Sequence, residues 1–389
     1  MSRLAKRVRG IGESVTLQIS AKAKSMKKDG VDVVGLAAGE PDFDTPGHIK
    51  AEAVKAIGEG FTKYTSASGM PELKEAVCRK FKSDSGLDYA PSQVVVSNGA
   101  KHSLYNVFEA ICDEGDEILI PSPYWLSYPA MVKLCLAKPI FIETGSNNNY
   151  KITRKDLERM ITPKTKAIVL NSPSNPTGCV YDKSELEFIA EAAVKNKIYV
   201  VSDEIYDKLI YDGKKHVSIA SLGKDIYDLT FTVNGVSKSY SMTGWRIGYT
   251  AGPQDAMKAI ANLQSHGASN PSSISQRAAI AALTQDQSCL EKMRQEFANR
   301  CDLMMSLVAD IKNMKAVRPE GAFYVFCDIS ATGMDSLKFA TRLLDEAKVA
   351  VIPGGPFGAD GCIRLSFATS RENIEKGLGR IKEWMKTNG

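Results

Sequence analysis

The sequence predicts an α/β protein: a large domain with a mostly parallel sheet, and a smaller α+β domain built from both termini. Three observations point there. The chain has 389 residues, enough for a large domain with a smaller companion. From residue 93 onward, short β-branched runs alternate with helical patterns, as in a sheet covered by helices on both faces. That alternation is lost at the two ends. The expected division is therefore 46–284 for the large domain, and 1–45 with 285–389 for the small one.

In chain order, residues 1–45 should hold an amphipathic helix, with Leu4, Val8 and Ile11 on one side, and the loop Ala38-Gly39-Glu40-Pro41-Asp42. Strands are expected at 93–97, 117–120, 138–142, 166–170, 198–202, 231–233 and 246–250, with helices such as 104–111 and 184–195 between them. Toward the carboxyl end follow long helices at 290–308 and 372–386 and strands at 322–327, 349–352 and 362–366. Thr369-Ser370-Arg371-Glu372 reads as a capping box for the last helix. The glycine-rich stretch 354–358 reads as a turn between strands.

Composition excludes several function classes. No apolar run approaches the roughly 20 residues that span a bilayer. Residues 1–28 carry eight basic side chains against Glu13, within a net charge of +5 for the whole chain. A transit peptide or a nucleic-acid arm could look like this, but no arginine-rich patch interleaved with aromatics follows. The better reading is a solvated helix face, with no nucleic-acid partner and no membrane. Eight cysteines are scattered without a CxxC pair or a secretory signal, which suits free thiols in a reducing cytoplasm. The four histidines lack ligand spacing, so no metal is expected. Neither GxGxxG nor GxxxxGK[ST] occurs, which removes the usual signatures of dinucleotide and P-loop sites.

Chemistry concentrates in a few segments. Gly235 to Gly248 (GVSKSYSMTGWRIG) follows a strand and surrounds Lys238 with small residues, with Arg246 eight positions later. A lysine meant for Schiff-base chemistry needs such a close-packed pocket, and the arginine offers a fork for a phosphate with Ser237 as a hydroxyl donor. Ser97-Asn98-Gly99-Ala100-Lys101 joins a strand to a helix, so its N–H groups could receive an anion. Asp203 ends a strand, where open α/β sheets bind ligands, and Tyr206 follows three residues on. Each alone has an ordinary alternative: a surface lysine, a plain turn, a helix cap. Asn171 to Gly178 (NSPSNPTG) could be only a loop, and Trp125 in Pro123-Tyr124-Trp125 only core.

Together these segments resemble the class I and II aminotransferases of fold-type I, and more narrowly the bacterial-type (subgroup Ib) aspartate aminotransferase branch. The resemblance covers the whole chain. Its marks are Ala38-Gly39-Glu40-Pro41-Asp42-Phe43, Lys63-Tyr64, Ser122-Pro123-Tyr124-Trp125, Ser202-Asp203-Glu204-Ile205-Tyr206, Met242-Thr243-Gly244-Trp245-Arg246 and Ile363-Arg364-Leu365-Ser366-Phe367.

The resemblance implies pyridoxal phosphate on Lys238, which also serves as general base. It places the phosphate among Gly99, Ala100, Lys101, Ser237 and Arg246, with Trp125 stacked on the ring. Asp203 would hold the ring nitrogen, and Asn175 and Tyr206 the phenolic oxygen, with Asn175 and Trp125 also touching the substrate. Tyr64 would reach the phosphate of a neighbouring subunit, making a homodimer with shared sites. Arg364 and the backbone of Gly39 would clamp the substrate α-carboxylate. Stretch 262–271 has no arginine for a distal carboxylate, so in this branch Lys101 with Thr16 would take it. The expected reaction moves the amino group of aspartate or glutamate to 2-oxoglutarate or oxaloacetate, extending to prephenate. Alternatives on the same cofactor are an aromatic or kynurenine aminotransferase and a β-lyase. A regulator without turnover would need a DNA-binding domain, for which the resemblance leaves no room.

Overall fold

The computed structural model describes residues 4–9, 11–12 and 15–389, except the side chains of Lys6, Val15, Thr16 and Leu17. Seven strands form the main sheet: β1 (Val94–Ser97), β2 (Glu117–Ser122), β3 (Lys138–Glu143), β4 (Thr165–Asn171), β5 (Tyr199–Asp203), β6 (Thr230–Gly235) and β7 (Gly248–Ala251). Their spatial order is β1-β7-β6-β5-β4-β2-β3. All neighbours are parallel except β7, which is antiparallel to both β1 and β6. The inner strands are runs of Val, Ile and Leu because both faces are covered. Ile168, Val169, Leu170, Val200 and Val201 are each at most 1% exposed. Among the covering helices, Lys183–Asn196 starts at Asp182, whose side chain accepts from Glu185 N–H while the Glu185 carboxylate receives Asp182 N–H.

This topology positions the site. Two antiparallel steps through β7 leave β1 pointing the same way as β6, so β1, β2, β4, β5 and β6 all end at one edge. The segments that leave those ends carry Gly99, Trp125, Asn175, Tyr206 and Lys238 in turn. That edge is where open α/β sheets bind their ligands.

The two chain ends build a second layer. Strands β8 (Lys315–Ala316), β9 (Tyr324–Asp328), β10 (Ile352–Pro353) and β11 (Cys362–Ser366) pair antiparallel in the order β10-β11-β9-β8. Val34–Gly35 pairs in parallel with Val349–Ala350. One apolar cluster joins Ile19, Ala23 and Leu36 to Phe297, Met304, Phe326, Ile363 and Ile381. It also takes in Ile205, Tyr206 and Leu209 from the segment after β5. On this clustering we propose two lobes, 46–284 and the two terminal segments together.

Several elements differ from expectation, each for a local reason. The amino-terminal helix that packs is Val15–Lys28, through Ile19 and Ala23. The upstream helix Lys6–Arg9 is a single turn and leaves Leu4 and Val8 exposed. The last helix is capped by Ser370, which accepts from Asn373 N–H, one residue later than a Thr369–Glu372 box requires. The expected strand at 349–352 splits between two sheets. Strands expected at 246 and 322 begin two residues later, because Arg246 (φ 55) and Ala322 (φ 58) are left-handed.

Candidate active site

The five strand ends and the loop Ala37–Glu40 enclose a cleft of about 580 Å³. Gly39, Ala100, Lys101, Trp125, Asn175, Asp203, Tyr206, Ser237, Lys238, Arg246 and Arg364 all line it.

Lys238 lies just past β6, and its Nζ donates to Gly39 O at 2.6 Å. Burial is the main reason its ammonium is destabilised, bringing the pKa down to about 8. Arg364 and Arg246 push the same way, while Glu40 and Asp203 oppose them. The amine is thus partly unprotonated near neutrality, as a nucleophile or base requires.

Asp203 closes β5 and is 4% exposed. Its carboxylate accepts from Tyr128 Oη (2.7 Å) and from Ile205 N–H (3.3 Å). Burial outweighs these bonds and raises its pKa to about 6. No cation pairs with it among the described residues, so a positive or proton-bearing partner in the cleft would relieve it. Tyr206 Oη shares a 3.0 Å hydrogen bond with Tyr324 Oη.

Arg246 reaches back across the turn from β1. Its Nη1 donates to Thr243 O (2.9 Å) and its Nη2 to Asn98 O (3.2 Å). This contact requires glycine: a Cβ on Gly99 (φ +88) would stand 2.2 Å from Arg246 Nη2, and one on Gly248 2.1 Å from Ala100 N. The helix Ala100–Ile111 starts there, so the N–H groups of Ala100 and Lys101 have no preceding helical carbonyl. Ser237 is buried and lines the cleft with them. Guanidinium, the Ser237 hydroxyl and first-turn amides together make a cradle for an anion such as phosphate.

Arg364 comes from β11 and is 5% exposed. Its Nη1 donates to Asn175 Oδ1 (2.9 Å) and its Nη2 to Ala37 O (3.1 Å). The guanidinium lies 4.3 Å from the Tyr324 ring centre and 5.2 Å from that of Phe357. Its Nε has no partner and no carboxylate pairs with it among the described residues, so a buried cation faces the cleft awaiting an anion. Asn175 is set in place by its loop: Asn171 Oδ1 accepts Asn175 N–H (2.8 Å), and Asn171 Nδ2 donates to Asp203 O (3.0 Å).

The outer end is looser. Exposed Lys101 places Nζ 4.8 Å from the Trp125 ring centre, and Trp125 packs edge-on against Tyr128 at 5.3 Å. Tyr64 is 89% exposed and does not line the cleft of its own chain. Gly99 lies beneath Arg246 rather than on the cleft wall. The Thr16 side chain lies outside the described residues.

Sequence reading missed four participants. Tyr128 follows Trp125 by three residues, its N–H bonded to Trp125 O at the turn into the helix Ser127–Leu134, a spacing that could have flagged it. Glu40 stood inside a quoted motif without a role, yet it receives the Thr243 hydroxyl at 2.8 Å. Ser20 lines the cleft from the helix Val15–Lys28. Tyr324 meets Arg364 only through the pairing of β9 with β11, and no local pattern foretells that register.

Three comparisons bear on this geometry. A family model described as aminotransferase class I and II matches residues 31–381. The aspartate aminotransferase of Bacillus sp. (strain YM-2) is 50% identical over 388 residues, covering 98% of this chain and 99% of the relative. The probable aspartate/prephenate aminotransferase of Aquifex aeolicus (strain VF5) is 46% identical over 386 residues, covering 98% of each. The solved aspartate aminotransferase from Thermus thermophilus with maleate has a TM-score of 0.95 at 44% identity, covering 98% of this chain and 100% of that one.

Proposed function

The chain belongs to the class I and II aminotransferases, and from that premise we propose that it moves the amino group of aspartate or glutamate to 2-oxoglutarate or oxaloacetate, using pyridoxal phosphate. One observation carries the reading: the depressed amine of Lys238, the carboxylate-free guanidinium of Arg364 and the buried Asp203 all face one cleft.

The donor set fits the cofactor. The cradle of Arg246, the Ser237 hydroxyl and the first-turn amides, kept open by Gly99 and Gly248, suits a phosphate, and Asp203 suits a protonated ring nitrogen. When bound, pyridoxal phosphate supplies the electron sink that makes a substrate Cα–H acidic. The chain's own residues do the rest. Ser237, Arg246 and the amides of Gly99, Ala100 and Lys101 hold the phosphate, and Trp125 offers a flat face to the ring. Asn175 and Tyr206 direct polar hydrogens to its phenolic oxygen. Arg364 and the Gly39 backbone hold the substrate α-carboxylate, exchanging the bonds Arg364 now makes to Asn175 and Ala37. Lys238 Nζ takes the Cα proton and returns it on the other side of the reaction.

Lys101 with Thr16 takes the distal carboxylate of a dicarboxylic substrate. Similarity to the probable aspartate/prephenate aminotransferase of Aquifex aeolicus supports prephenate as a second dicarboxylate acceptor for this chain. The exposed Tyr64 supports a homodimer in which it reaches the neighbouring phosphate. All eight cysteines are free, which supports a reducing cytoplasm. No described helix is long and apolar enough to cross a membrane.

The test is the absorption spectrum of the loaded protein before and after L-aspartate under single-turnover conditions. Conversion of the visible cofactor band to the amine form supports the proposal. A band indifferent to both aspartate and glutamate would end the dicarboxylate reading and turn attention to aromatic and sulfur amino acids. Incubation with prephenate and an amino donor should yield arogenate by chromatography, and its absence removes that second activity.

A further inference from the structure

Behind Asp203 lies a second polar centre that the cleft does not use. Side chains alternate in direction along a strand, and Glu204, next after Asp203, does not line the cleft. It is 2% exposed. Its carboxylate accepts from Ser202 Oγ (2.9 Å) and Ser218 Oγ (2.7 Å) and pairs with His216 Nε2 at 2.9 Å. Its backbone N–H donates to Val233 O (2.8 Å), tying the turn to β6, the strand that leads to Lys238. His216 Nδ1 has no partner among the described residues. The ring lines a second cavity of about 430 Å³, which shares no lining residue with the cleft.

With an ionised Glu204 opposite, Nε2 must be the donor, so the ring gains and loses its second proton at Nδ1. The charged groups that act most on His216 are Glu204, Asp207 and Lys80, and Asp84, Lys208, Lys214, Lys215 and Arg294 line the same cavity; from behind the strand, the Glu204 charge also acts on Asp203 and Tyr89. Lys80 is committed to Asp207 and Asp84. Neutral His216 therefore leaves the Glu204 charge uncompensated one residue from Asp203, and protonated His216 cancels it. Burial disfavours the imidazolium, but the carboxylates of Glu204 and Asp207 more than reverse this and raise its pKa.

We propose that Glu204 and His216 are a positioning pair for Asp203. Glu204 fixes the turn out of β5 and strengthens the hold of Asp203 on a proton at the cofactor ring nitrogen, while His216 offsets that charge from the second cavity. This rests on the cofactor reading above.

The test compares the loaded wild type with Glu204→Gln and His216→Gln, reading the pH midpoint of the visible cofactor band. Removing the anion should lower the midpoint and removing the cation should raise it, each by roughly half a unit or more, with the double variant in between. Shifts of one sign, as a purely structural role would give, or no shifts, overturn the proposal. A wild type with no cofactor band would instead bring down the cofactor reading itself. Should Glu204→Gln fail to fold, NMR titration of His216 in the cofactor-free chain decides. By reciprocity its midpoint should be lower in Asp203→Asn than in the wild type, and an unchanged midpoint refutes the coupling.

Discussion

Lys80 and Lys238 are the same residue type, and their amines meet opposite surroundings. Lys80, on the helix Pro71–Ser85, is 8% exposed and ion-paired with Asp207 and Asp84. Burial disfavours its charge, but the two carboxylates and Tyr249 hold its pKa well above the usual lysine value. Lys238 donates to the carbonyl of Gly39 and forms no ion pair among the described residues; Glu40 and Asp203 only partly offset burial and two nearby arginines, and its pKa falls to about 8. Lack of a fixed counter-ion, more than burial alone, makes one lysine reactive and the other structural.

The contrast can be broken at either lysine. The largest effect should come from Lys238→Ala, which removes nucleophile and base together. Transamination should fall by about 10,000-fold or more in single-turnover assays, while cofactor-free thermal unfolding stays close to wild type. Activity within a hundredfold of wild type would mean that another amine does the work. Next in size, Lys80→Met should cost about 3–5 kcal/mol in urea unfolding, because Asp207 is left charged and buried. The double variant Lys80→Met/Asp207→Leu should recover most of that loss, and a failure to recover would locate the stability elsewhere.

Smaller effects sharpen the comparison at the cleft. Lys101→Gln should raise KM for aspartate roughly 10- to 100-fold while barely changing kcat or turnover of alanine. An equal loss for both substrates would assign Lys101 to the cofactor alone. Asp203 tests the cost of a buried carboxylate that is hydrogen-bonded but has no ion-paired cation among the described residues. Its folded-state pKa is raised, so the folded chain binds more protons than the unfolded one between the ordinary aspartate value of 3.8 and about 6. Its destabilisation is therefore absent at low pH, grows across that window and is complete above it. Asp203→Asn should stabilise the cofactor-free protein by about 1–2 kcal/mol at pH 8 and much less near pH 4, while impairing turnover. A variant less stable at pH 8 would contradict this.

What the sequence disclosed and what it hid divide along physical lines. The strands of the main sheet were legible because burial on both faces leaves unbroken apolar runs, as in Ile168–Val169–Leu170. The residues at the strand ends were legible because glycine, proline and asparagine mark the turns there, as Gly99 and the Asn171–Gly178 loop do. Backbone reversals were not: nothing local tells that Arg246 turns left-handed before β7. Contacts made by the register of distant strands were also hidden, so Tyr324 went unseen beside Arg364. Charge compensation escaped for the same reason, since Lys80 and Asp207 are 127 positions apart. The sequence offers two lysines; the fold decides which one is free to react.

The most direct measurement is the rate at which the cofactor-free protein captures pyridoxal phosphate as a function of pH, with the modified lysine located by borohydride reduction and peptide mapping. The depressed amine predicts that label lands on Lys238 and that the rate rises to a plateau with a midpoint near pH 8. Label elsewhere, or a midpoint close to the ordinary lysine value of about 10.4, would contradict the assignment of Lys238 as the reactive amine.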